Sequence, residues 1–198
     1  MRRALLFLVW LAAAALVWQP APSLAQELER EAALKAAFLY NFAKFTEWPA
    51  GRFRSDSDPV MFCVGQTSRL KDALVVLPDK LVGTHPIRVL VLTDEAGAAS
   101  CHLLFIDEGM PTALRRLMET RLFGVLTVSD LPNFARAGGD IGLFFESNQL
   151  RFQINLEASR RRGLGFSSKL LRLADVIGQQ SSLLTRFALG LRDALSWI

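Results

Sequence analysis

Val60-Met61-Phe62-Cys63-Val64 follows the polar break Ser55-Asp56-Ser57-Asp58-Pro59 and carries no polar side chain able to interrupt it. A run this short, bounded by turn residues and rich in β-favouring types, reads as a strand covered on both faces. Similar near-continuous apolar runs recur at Ile87 to Leu92, Leu103 to Ile106 and Val125 to Val128, and stretches of helical periodicity intervene at Arg69 to Leu77 and Thr112 to Leu122. Strands alternating with helices predict an α/β fold, a three-layer sandwich with a mostly parallel sheet and helices on both faces. Asp140 to Glu146 and Leu150 to Asn155 break the pattern, because only Ser147-Asn148-Gln149 separates them. So short a link predicts an antiparallel hairpin at one edge of the sheet. Within it Arg151, Gln153 and Asn155 alternate with Phe152 and Ile154, which predicts a half-exposed strand.

Upstream of these strands, Leu28, Ala32, Leu34 or Lys35, Phe38, Leu39, Phe42 and Phe45 recur at three- and four-residue steps. That spacing predicts an amphipathic helix from Glu27 to Trp48, ended by Pro49 and Gly51. Before it, Arg2 and Arg3 precede a 15-residue apolar run from Ala4 to Trp18, then Pro20, Pro22 and Ser23-Leu24-Ala25. The run is shorter than the ~20 residues of a membrane-spanning helix and ends at a small-residue site, so residues 1–25 read as a cleavable signal peptide. The expected location is the bacterial periplasm. Loss of two arginines takes the formal charge from +4 to about +2, too small to suggest a nucleic-acid partner. Residues 26–178 are expected to form one domain, since 51% apolar composition supplies a core for a chain of this length.

At the C-terminal end, Leu156 to Arg162 and Lys169 to Val176 read as short helices around Gly163-Leu164-Gly165-Phe166. Residues 179–198 are expected to form a further amphipathic helix whose stripe is Leu183, Leu184, Phe187, Leu191, Leu195 and Ile198. Packing on the domain, dimerisation and contact with a membrane surface are the three roles open to it.

Catalytic chemistry finds little support. The two histidines, His85 before Pro86 and His102 at the head of a strand, lie in no recognisable nucleophile motif. Gly138-Gly139 precedes a strand rather than a helix, and Gly163-Leu164-Gly165 lacks a third glycine, so neither is a dinucleotide loop. Gly138-Gly139 suits a positive-φ turn into the hairpin instead. Cys63, Cys101 and His102 could converge, but a dedicated metal site wants about four ligands, so no metal or cofactor is expected. If the strands holding Cys63 and Cys101 are neighbours, they lie ~4.8 Å apart and a disulfide can join them. A pair of buried thiols is the alternative.

Ala36-Ala37-Phe38-Leu39-Tyr40-Asn41-Phe42-Ala43-Lys44-Phe45-Thr46-Glu47-Trp48-Pro49, Cys101-His102-Leu103-Leu104-Phe105-Ile106, Leu126-Thr127-Val128-Ser129-Asp130, Gly138-Gly139-Asp140-Ile141, Phe152-Gln153-Ile154-Asn155 and Ser167-Ser168-Lys169-Leu170-Leu171 follow one another in order. Together they resemble the successive blocks of the YfiR family. The resemblance implies a non-enzymatic periplasmic repressor that binds the periplasmic sensor region of an inner-membrane diguanylate cyclase, lowering cyclic di-GMP and biofilm formation. It also implies that a cysteine pair bears on folding and on redox control of repression. The other class in view is a small-ligand-binding module serving a histidine kinase or transporter.

For partner contact, the exposed hairpin residues Glu146, Arg151 and Gln153 and the basic C-terminal end, with Arg160, are the candidates.

Overall fold

The computed structural model describes residues 23–75, 77–93, 96–110 and 122–178. The expected tail at 179–198, most of the signal peptide and nearly all of the helix expected over Thr112 to Leu122 lie outside these residues.

Helix α1 runs from Leu24 to Phe45 and is followed directly by β1, Thr46–Glu47. The helix therefore ends three residues earlier than its periodicity predicts. Thr46 Oγ1 donates to the Phe42 carbonyl at 2.7 Å, and Thr46 and Glu47 pair antiparallel with Phe166 and Gly165 of β9, Gly165–Phe166. Strand pairing thus takes over a turn before Pro49 could break the helix.

The main sheet holds eight strands: β2 (Val60–Gly65), β3 (Leu81–Val82), β4 (His85–Leu92), β5 (Leu103–Ile106), β6 (Leu126–Ser129), β7 (Ile141–Glu146), β8 (Gln149–Asn155) and β10 (Asp175–Ile177). Their spatial order is β10-β8-β7-β6-β5-β2-β4-β3. From β4 to β7 neighbouring strands are parallel, whereas β7–β8 and β3–β4 are antiparallel. This is the mixed α/β architecture the apolar runs predicted. The hairpin sits at the foreseen end of the sheet, with β10 added outside it in parallel register, Val176 opposite Ile154. Asp175 and Val176 were expected to end a helix running from Lys169; that helix, α4 (Ser168–Leu171), instead stops at Leu171, and the chain serves β8 as an edge partner. The short helices α2 (Leu70–Leu74) and α3 (Leu156–Arg161) and a 3-10 turn at Ala96–Ser100 complete the described elements.

The two faces of the sheet are filled by two clusters whose members alternate along each strand. Val60, Phe62, Val64, Leu103, Phe105, Leu126, Val128, Ile141, Phe152 and Ile154 meet Leu39 and Phe42 of α1 on one face. Cys63, Leu104, Ile106, Val125 and Phe134 fill the other. Phe38 and Phe42 lie 6.0 and 4.9 Å from the Phe152 ring in β8, while Tyr40 Oη donates to the Leu81 carbonyl in β3 at 3.1 Å. One helix thus touches strands near opposite ends of the order, so the sheet curls around α1. Of the two readings left open at 34 and 35, the structure takes the charged one: Lys35 is 7% exposed and meets Asp130 at 2.6 Å, whereas Leu34 is exposed.

Candidate functional site

Three constellations of polar side chains stand out. The first is the outer face of the hairpin. Leu150, Phe152 and Ile154 turn inward, which puts Gln149, Arg151 and Gln153 on the opposite face, with Arg151 across from Phe144 and Gln149 across from Glu146. Arg151 reaches Glu146 at 3.3 Å and Asp175 of β10 at 3.8 Å, and Asp175 stands in register with Gln153. The structure therefore brings Glu146, Arg151 and Gln153 into one polar row, extended by Asp175. Arg160 is exposed on α3, in a different element, and forms no ion pair among the described residues. At the tip, Ser147 and Asn148 adopt positive φ, as a tight two-residue turn requires.

The second is enclosed. Asp140 enters β7 with its carboxylate completely buried. Oδ2 accepts from the Thr127 amide and hydroxyl at 2.8 and 2.7 Å, and Oδ1 accepts from Ser159 Oγ at 2.9 Å and Arg162 Nη1 at 3.1 Å. Burial pushes the Asp140 carboxyl above its ordinary value, and Arg162, Thr127 and Ser159 pull against that rise. Asn155 adds a link from β8: its Oδ1 caps α3 through the Ala158 amide at 2.9 Å, and its Nδ2 donates to the Ala135 carbonyl at 2.8 Å. Gly138 enters this region at φ +101, and the Phe134 ring occupies the space a Cβ on Gly139 would need. The foreseen positive-φ turn is thus present at Gly138. Sequence reasoning missed the knot, because Asp140 and Arg162 carry no local mark of being paired. The only available signal was Asp140 itself, a charge immediately before an apolar strand.

The third surrounds the disulfide. Cys63 in β2 and Cys101, two residues before β5, are bonded with their Cα atoms 5.8 Å apart, and both are fully buried. β2 and β5 are neighbours, with Phe62 paired to Leu103 and Cys63 to Leu104, which is the adjacency on which the pairing was conditional. Arg52 clamps the bridge from outside, donating to the carbonyls of Cys101, Ala99 (3.3 Å) and Gly124 (3.0 Å). Next to it, the Phe53 ring is stacked between His85, at 3.9 Å, and His102, at 4.6 Å. Trp48 stands edge-on to both Phe53 and His102. His102 Nδ1 accepts from the Met61 amide at 3.1 Å, so Nε2 carries the ring proton. Burial, followed by the nearby Arg52 charge, lowers the His102 pKa from 6.5 to about 4. Among the described residues no three His, Cys, Asp or Glu side chains form a group able to hold a metal ion.

A curled mixed sheet, a buried disulfide between adjacent parallel strands and a polar hairpin face define a disulfide-stabilised α/β domain. Residues 32–175 match the YfiR/HmsC-like family, and the chain belongs to it. The family is periplasmic, regulatory and non-catalytic. No helix among the described residues is long and apolar enough to cross a membrane.

Proposed function

We propose that this protein is a periplasmic repressor of an inner-membrane diguanylate cyclase, acting by contact with the cyclase's periplasmic region through the outer face of the hairpin. The family match supports the regulatory class. The observation that carries the contact surface is the row of Glu146, Arg151, Gln153 and Asp175, where charged side chains stand on a regular strand face with modest mutual pairing at 3.3 and 3.8 Å. Exposed pairs of this geometry add ~0–1 kcal/mol to stability, so they can be exchanged for pairs with a partner at little cost to the fold. Arg160 lies outside this row and serves as a second basic contact on α3. Export by the leader at 1–25 places the domain on the side of the membrane where such a sensor region is exposed, and the tail at 179–198 is a further docking element, for a second copy or the membrane surface. No cofactor takes part.

Deleting the gene in its host tests the function. Cyclic di-GMP and surface attachment should rise, and a tagged copy should retain a membrane cyclase on purification. Unchanged cyclic di-GMP, together with ligand-dependent thermal stabilisation, would transfer the protein to the class of small-ligand modules for kinases or transporters. Arg151→Glu should release the cyclase while the protein stays folded, and retention of the cyclase by that variant would remove the hairpin face from the proposal.

A further inference from the structure

His102 occupies an unusual junction. Its amide donates to the Met61 carbonyl at 2.9 Å, its ring accepts from the Met61 amide at 3.1 Å, and its carbonyl accepts from the Leu126 amide at 2.8 Å. One residue therefore ties the N-terminal ends of β2, β5 and β6, immediately beside Cys101. Its ring also closes the stack with Phe53 and His85, which holds the segment 48–58 against the sheet. Only the neutral imidazole can do this. A protonated ring would carry a hydrogen on Nδ1 and present it to the Met61 N–H, setting donor against donor.

The surroundings offer the cation little. The Arg52 side-chain charge, from the loop after β1, and His85, from β4, oppose a charge on His102; a hydrogen bond to the Arg52 backbone and, more weakly, Asp58, before β2, favour it. The Asp58 carboxylate is already engaged by the Arg54 amide at 2.8 Å and Ser55 Oγ at 3.0 Å. His102 is 6% exposed, and its buried Nε2 makes no well-aligned hydrogen bond among the described residues. Protonation therefore requires the ring to leave its place, which breaks the Met61 bond and the stack together.

We infer that His102 is an acid-operated latch that releases the aromatic segment 48–58 from the disulfide-linked ends of β2 and β5. The device adds a pH input to a domain whose regulatory role rests on other residues, and it stands whether or not the hairpin face binds a cyclase.

The chain has two histidines, so their ring protons can be followed separately by NMR on the oxidised, exported protein. The His102 resonances should titrate near pH 4, well below a free imidazole. The Met61 amide should shift with the same midpoint and lose about tenfold or more of its exchange protection across it, after correction for the intrinsic rate. His102→Asn retains an acceptor for Met61 and cannot titrate, so its Met61 amide should stay protected to low pH. Phe53→Leu uncovers the ring and should raise the His102 midpoint toward the ordinary value. Titration of His102 at or above that ordinary value overturns the inference. So does protonation that leaves the Met61 amide protected, or a midpoint unmoved in Phe53→Leu.

Discussion

Arg162 and Asp140 meet inside the protein, Nη1 to Oδ1 at 3.1 Å, with the carboxylate completely buried and the guanidinium nearly so. The Arg162 Nη1 group also donates to the Gly138 carbonyl at 3.2 Å. Removing one partner strands the other charge in the interior, a loss of about 3–5 kcal/mol. Arg162→Leu should lower the denaturant midpoint accordingly, with an unchanged slope. Arg162→Leu combined with Asp140→Leu should recover part of the loss, since an apolar pair leaves no charge unpartnered.

The disulfide closes a loop of 38 residues in sequence separation, and the chain-entropy account assigns about 4 kcal/mol to a loop of that size. Cys63→Ala with Cys101→Ala should cost most of that in urea unfolding. In the natively exported protein, thiol-blocking reagent should add no mass without prior reduction.

Acid should weaken the fold through His102. The unfolded ring binds its proton at the ordinary 6.5 and the folded ring only near 4, so the unfolded state holds more protons between those values and stability falls as pH drops from 6.5 toward 4. His102→Asn should flatten that part of the profile. Denaturant midpoints measured for both proteins at several pH values give the comparison, and parallel profiles would assign the acid sensitivity elsewhere.

Phe152 packs against Phe38 and Phe42 of α1 from β8. Truncation of a buried aromatic costs about 3–5 kcal/mol. Phe152→Ala should do so here and should raise hydrogen exchange in α1 ahead of exchange in β5, because the helix loses its hold on that end of the sheet.

Arg151→Glu separates recognition from folding. Its thermal midpoint should stay within the span expected for ~1 kcal/mol, since both of its ion pairs are exposed. Cyclase retention, read by co-purification, should be lost.

Much of the sheet was legible in the sequence because buried parallel strands advertise themselves as apolar runs. Val60 to Val64 and Leu103 to Ile106 fall within one residue of the strands they predict. Pairing across the chain is harder to read. The end of α1 was misplaced because its terminator is β9, more than a hundred residues away, rather than Pro49. Asp175 and Val176 read as helix because local periodicity says nothing of an open edge on β8. The three consecutive arginines show the same limit: Arg160 is exposed, Arg161 pairs with Glu157 one turn away, and Arg162 is buried against Asp140. Only the second of these fates follows from spacing. The polar hairpin residues were visible through their alternation, whereas the ring stack of His85, Phe53 and His102 joins three separate segments and leaves no periodic trace.

The order β4-β2-β5 reverses direction at β2: the chain leaves β2 to build β4 on one side, then crosses back to build β5 on the other. Cys63 and Cys101 sit on the two sides of that return journey. Once oxidised, the bond writes the crossing into the covalent structure, and any arrangement that inserts β4 between β2 and β5 becomes unreachable. A chain refolding with the bridge intact begins with its strand order already decided, while a reduced chain has to find that order among its competitors.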